Sequence, residues 1–136
     1  MKAKASYSVK KCEEATIREI AGSMKISKAS VIYQLNGDLE GTASVEYLMF
    51  YRHFDPKDQH NASAMYVGLI HFDGTLSGKS GSCVLEDTGT FEAGQANSQL
   101  RILEGSGTGQ LDRIYGTGLY VAGKDSMHWE LDYSFH

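Results

Sequence analysis

Apolar and polar residues alternate with a period of two through most of the chain. Trp129, Leu131, Tyr133 and Phe135 alternate with Glu130, Asp132 and Ser134, the spacing of a strand with one buried and one wet face. Leu39 to Tyr51 puts Leu39, Ala43, Val45, Tyr47, Met49 and Tyr51 on one side and Glu40, Thr42, Ser44 and Glu46 on the other. Leu48 and Phe50 break the polar side, which predicts that this long strand is covered on both faces at its far end. Met24 to Leu35 is rich in β-branched and aromatic residues, and further strands are read at Met65–Asp73, Gly81–Thr90, Asn97–Glu104, Gly109–Tyr120 and Met127–Phe135. Lys10 to Ala21 spaces Ile17, Ile20 and Ala21 for one face of a helix, yet reads better as a strand over Ala15–Ile20.

Turn residues divide these segments. Asn36-Gly37-Asp38 is the sharpest signal, because Asn-Gly readily takes the two positive-φ positions of a tight hairpin. Twelve of the 15 glycines lie at or beyond Gly68, as expected where strands bend and coil. His53 to Ala62 carries the only proline, Pro56, and is the natural long loop within a single domain over residues 1–136. Seven or eight strands without covering helices would leave two exposed edges, which curling shut removes. The expected fold is therefore all-β, an antiparallel barrel of about eight strands, whose interior is filled by side chains or holds one small ligand.

Charge narrows the partners. Lys and Arg total 13 against 17 Asp and Glu, a balance that repels a phosphate backbone and speaks against nucleic acid. Lys2, Lys4, Lys10 and Lys11 read as a solvated tail and first strand. The first twenty residues hold no apolar run of signal-peptide type, and no window approaches the roughly 20 apolar residues of a membrane helix. The expectation is a cytoplasmic protein with no membrane partner. Cys12 and Cys83 lack metal spacing and read as isolated reduced thiols.

Two glycine-rich segments, one resembling a phosphate-binding loop and the other a dinucleotide fingerprint, fail on inspection. Gly74-Thr75-Leu76-Ser77-Gly78-Lys79-Ser80 has a spacer one residue short and is followed by a strand where a phosphate site needs a helix N-terminus. Gly105-Ser106-Gly107-Thr108-Gly109 has no helix after it either. The five histidines show no ligand spacing, so neither a metal nor a cofactor is expected. The remaining chemistry lies in polar residues between apolar neighbours: Glu46, Tyr66 and Arg101. Simple alternation places each in solvent. Turned inward instead, Glu46 would need Arg101 or tyrosine hydroxyls to satisfy it. In that arrangement Glu46, Tyr66 and Arg101 are the catalytic candidates, with Glu46 as acid, base or cation stabiliser and the others as donors to an oxygen-bearing group. Tyr47, Glu86, Trp129 and Glu130 are candidate ligand-binding residues, Trp129 reading first as core.

From Tyr33 to Gly118 the chain resembles a bacterial family of small domains of unknown function, DUF3224. The resemblance rests on Asn36-Gly37-Asp38-Leu39-Glu40-Gly41-Thr42, Glu46-Tyr47-Leu48-Met49, Tyr66-Val67-Gly68, Gly74 to Ser82, Thr88-Gly89-Thr90-Phe91 and Gly105 to Leu111. It implies an eight-stranded barrel like that of plant allene oxide cyclases and dirigent proteins. Three functions stay open: a cofactor-free cyclase or isomerase of a small apolar molecule, a non-catalytic binder of a small hydrophobic metabolite, and a structural barrel with a filled core. The mixed faces of Leu39–Tyr51 and the aromatic last strand offer more apolar surface than one small interior hides, which predicts a homo-oligomer.

Overall fold

The computed structural model describes residues 1–55, 57–58, 61–123 and 127–136; of the loop expected over residues 53–62, Pro56, Gln59 and His60 lie outside the described residues. Among the described residues the chain forms nine strands: β1 (Lys2–Glu19), β2 (Lys25–Gly37), β3 (Leu39–His53), β4 (Ser63–Leu76), β5 (Lys79–Glu92), β6 (Gln95–Ile102), β7 (Thr108–Gly109), β8 (Ile114–Ala122) and β9 (Met127–Phe135). They make one antiparallel sheet in the order β4-β3-β2-β1-β9-β8-β6-β5-β7, and β4 also pairs with β5. Lys10 to Ala21 is strand over most of its length, as the outer part of β1. Among the described residues no helix is long and apolar enough to cross a membrane.

The expected eight-stranded barrel, and with it the likeness to allene oxide cyclases and dirigent proteins, is corrected. The sheet has nine strands, β7 being a two-residue strand paired to Gly81 and Ser82 of β5. Pairing links the other eight in a ring, but the ring is not arranged as a barrel. β1 meets β9 only over Lys2–Ser6, whereas it follows β2 from Ala5 to Glu19. Past Ser6 β1 leaves β9 and runs on against β2 alone, exposed from Ser8 onward, while β2 stays paired with β3. The physical cause lies in the inner face of β1. Ala3, Ala5 and Tyr7 are buried there, then the register shifts between Val9 and Lys11, and Cys12, Glu14 and Thr16 follow on the inner side. A bulge followed by polar side chains gives β1 no apolar surface to bury against β8 and β9.

The two ends of the ring differ accordingly. At the pinned end Leu35, Leu39, Phe72, Leu76, Leu85, Leu111 and Ile114 are almost wholly buried and fill the interior. Tight turns close this end and the opposite one. Ser77 (φ 49°) and Gly78 (φ 85°) join β4 to β5, and Ala93 (φ 53°) and Gly94 (φ 77°) join β5 to β6, two-residue hairpins with both positions left-handed. The phosphate-loop lookalike is thus a hairpin. At Asn36-Gly37 only Gly37 has positive φ, and Asn36 stays in β2 opposite Ser6. Asp38 fastens that corner to β1 instead: its N–H donates to the Lys4 carbonyl, and its Oδ2 accepts from the Lys4 N–H, each at 2.9 Å.

Candidate functional site

Strand register sets side chains in rows across the inner face. One row holds Tyr47, Gly68, Asp87 and Leu100, and its neighbour holds Met49, Tyr66, Gly89, Ser98, Tyr120 and Trp129. Each row sets a tyrosine beside a glycine, and the ring lies across the glycine. A Cβ on Gly68 would stand 2.7 Å from Tyr47 Cδ1, and one on Gly89 would stand 2.6 Å from the Tyr66 hydroxyl oxygen. Glycine alone leaves that space. Tyr47 thereby reaches over Gly68 and donates to Asp87 Oδ2 at 2.8 Å, while Tyr66 reaches over Gly89 to share a hydrogen bond with Ser98 Oγ at 2.5 Å. The Tyr120 hydroxyl lies 2.6 Å from that of Tyr47. Its ring stacks on Trp129 with centroids 5.8 Å apart, and Tyr7 and Tyr33 pack against it at 6.1 and 6.4 Å.

Asp87 is 0% exposed, and among the described residues its Oδ1 has no hydrogen-bond partner. Burial pushes the carboxyl up to about 6, although the hydroxyls of Tyr47, Ser98 and Tyr120 favour the ion. The phenols move the same way: burial takes Tyr33 up to about 12, and Tyr7, Tyr47 and Tyr120 higher still. They remain protonated at neutral pH, and Asp87 is the member of the cluster whose charge changes there.

Above the cluster, at the splayed end of the ring, lies a cavity of about 510 Å³ whose lining includes Tyr33, Tyr47, Tyr66 and Tyr120. Ala29, Val31, Met49, Phe91, Ala96 and Ala122 supply apolar wall. The outer part of β1 and the start of β2 form part of the rim, where Tyr51 donates to Glu14 Oε2 at 2.8 Å and Lys25 Nζ sits 3.5 Å from the Phe54 ring centroid. A mainly apolar space with a few converging polar groups suits a small molecule.

The family model for DUF3224, described as protein of unknown function, matches residues 3–133. The chain belongs to the DUF3224 family. A DUF3224 protein of unknown function from Shewanella oneidensis MR-1, known from a crystal structure, has a similar fold. Its TM-score is 0.77 at 23% identity, over 100% of this chain and 97% of that one. No curated protein matches the chain. The segments that carried the DUF3224 resemblance contain Tyr47, Tyr66, Gly68 and Gly89, both halves of each reach across a glycine.

In this DUF3224 protein the residues expected at a site divide between two faces. Tyr47, Tyr66 and Trp129 point inward and come together around Asp87 and Tyr120. Glu46 points outward and accepts from Ser30 Oγ at 2.5 Å. Arg101 and Glu86 pair with each other on the same outer face at 3.1 Å, and Glu130 pairs with Lys4 at 3.5 Å. Glu46 and Arg101 therefore do not meet Tyr66. Asp87, Ser98 and Tyr120 were not foreseen. Asp87 shares the strand face of Cys83 and Leu85, both buried, so the alternation in β5 carried the signal one residue away from Glu86.

Proposed function

We propose that this protein binds a small, mostly apolar molecule in the cavity at the splayed end, with one polar group of the ligand set against the Tyr47–Tyr120 hydroxyl pair. The observation that carries the reading is the junction of an apolar-walled space of about 510 Å³ with a buried acid–phenol cluster. A core serving packing alone gains nothing from Asp87, whose burial costs free energy that an aliphatic residue would spare. Of the residues singled out from sequence, Tyr47 and Tyr66 line this cavity, and Trp129 lies behind it, stacked on Tyr120.

The test is a titration with the neutral fluorophore N-phenylnaphthylamine, read by its own emission and by that of Trp129, the single tryptophan. Ala96→Phe and Ala122→Phe fill the cavity from its wall. Saturable binding that weakens by about tenfold or more in both variants, at unchanged circular dichroism, supports the reading. Equal affinity in the filled variants overturns it.

The outer face supports self-association. Leu48, Met65, Val67 and Leu69 are 52, 45, 50 and 54% exposed, and Leu48 sits directly opposite Val67 across β3 and β4. Lys28, Glu46 and Glu86 flank the same hollow. Charges of both signs around an apolar patch suit a two-fold contact with a second copy, in which each positive group meets a negative one. Sedimentation should show an oligomer at micromolar concentration that Val67→Lys dissociates. A monomer before substitution refutes the contact.

A further inference from the structure

The protonation state of Asp87 sets the direction of the hydrogen-bond chain that ends at the cavity. The Tyr47 hydroxyl lies 2.8 Å from Asp87 Oδ2 and 2.6 Å from the Tyr120 hydroxyl, and each hydroxyl has one proton to give. With Asp87 ionised, Tyr47 donates to the carboxylate and Tyr120 donates to Tyr47. Only lone pairs are then left on Tyr120. With Asp87 protonated the order reverses: Asp87 donates to Tyr47, Tyr47 donates to Tyr120, and the Tyr120 O–H is released to donate toward the cavity that it lines, where a ligand oxygen competes for it with the Tyr33, Tyr66 and Ser98 hydroxyls.

The surroundings favour the neutral acid. The groups that act on Asp87 are phenols from five strands, Tyr7, Tyr33, Tyr47, Tyr66 and Tyr120, together with Ser98 from β6. None of these carries a positive charge. From β9 the inward residue is Trp129, while His128 has the outward parity; Lys25, Glu14 and Cys12 lie on the cavity rim. A fully buried carboxylate with one unpartnered oxygen and no cation is costly, and the protonated acid is much less so.

Resting on the binding function proposed above, we infer that the ligand is a neutral molecule with a carbonyl or similar acceptor oxygen, to which Tyr120 donates while Asp87 is protonated, so that binding takes up one proton. The balance is simple. The proton comes from solvent onto the Asp87 carboxylate, and no covalent bond of the ligand breaks. Because burial holds Asp87 near 6, the uptake is measurable at and above neutral pH.

The probe is the fluorescent aryl ketone propionyl(dimethylamino)naphthalene, compared with dimethylaminonaphthalene, which lacks the carbonyl. Binding confined to the protonated form predicts that the ketone Kd weakens about fifty-fold between pH 6 and pH 8, while the carbonyl-free analogue stays level. Asp87→Asn, a permanently neutral side chain, should bind the ketone with little pH dependence. Calorimetry on the unaltered protein near pH 8, in phosphate and in Tris, reads the uptake without any variant and should give about one proton per ketone bound. A ketone Kd that is flat with pH, or no proton uptake, while the analogue still binds, overturns the inference and leaves the binding function standing. A naphthol probe whose affinity rises with pH means an accepting floor and overturns it too. If no probe binds at any pH, both readings fall.

Discussion

Replacing Asp87 by asparagine isolates the cost of burying its charge. The carboxyl goes from 3.8 in the unfolded chain to about 6 in the folded protein. A folded pKa above the unfolded one means that the native state keeps the proton where the unfolded chain has lost it. The stability this contributes is fully present below about pH 3.8 and is lost as the pH rises through about 6. A gap of about two units corresponds to about 3 kcal/mol at neutral pH and above. Asparagine does not ionise, so its variant escapes that loss. Its amide N–H, placed near an oxygen position that has no partner, carries a separate cost of about 1–3 kcal/mol that is independent of pH. The two effects separate in urea denaturation of both proteins between pH 4 and pH 8. On going up that range, Asp87→Asn should gain roughly 2–3 kcal/mol on the unaltered chain, whatever their order at pH 4. Every other titrating group is common to both and cancels. A difference that stays constant with pH, or a variant that loses ground as the pH rises, would refute the reasoning, because the phenols would then stabilise the carboxylate more than burial penalises it.

Gly68→Ala places a Cβ 2.6 Å from the Glu46 carbonyl oxygen and 2.7 Å from the Tyr47 ring; thermal denaturation should show a loss of about 1–3 kcal/mol, and probe affinity should fall because Tyr47 no longer reaches Asp87. Glu46→Gln and Arg101→Ala alter exposed groups whose partners are Ser30 and Glu86, so stability should change by less than about 0.5 kcal/mol for each and probe affinity should hold, unless the outer face rather than the cavity is the site. A thiol reagent should modify Cys12, which is exposed, and spare Cys83, which is buried, until denaturant is added. Burial and Glu14 raise the Cys12 thiol, so its labelling rate should still be climbing at pH 9, and a plateau near neutrality would contradict that.

Strand positions were legible because period-two alternation is strong in this chain. Met127–Phe135 agrees at both ends, and Leu39–Tyr51 falls two residues short of the end of β3. Closure was not legible in the same way, because it depends on one bulge. Through Tyr7 the sequence of β1 looks like any staple between two neighbours, and a shift between Val9 and Lys11 then turns Cys12, Glu14 and Thr16 to the inside. No composition average registers that change. It decides that the ring is pinned at one end and splayed at the other, and so it makes the cavity.

The site turned on the same kind of single-residue distinction. Glu46, Glu86 and Arg101 attract notice because they are charged and lie among apolar neighbours, but alternation gives every half-buried strand such residues on its wet side. The informative polar residue breaks the apolar parity, as Asp87 does after Cys83 and Leu85 and as Ser98 does before Leu100 and Ile102. Glycine at the same parity is the second sign. Gly68 and Gly89 leave openings on a face that is otherwise filled, and each opening is crossed by a tyrosine from the next strand. An inward acid, an inward glycine one strand away and a tyrosine one strand beyond it form a row that β-sheet register alone brings together. Read in that order, the pattern separates an acid that the fold pays to bury from one that merely decorates its surface.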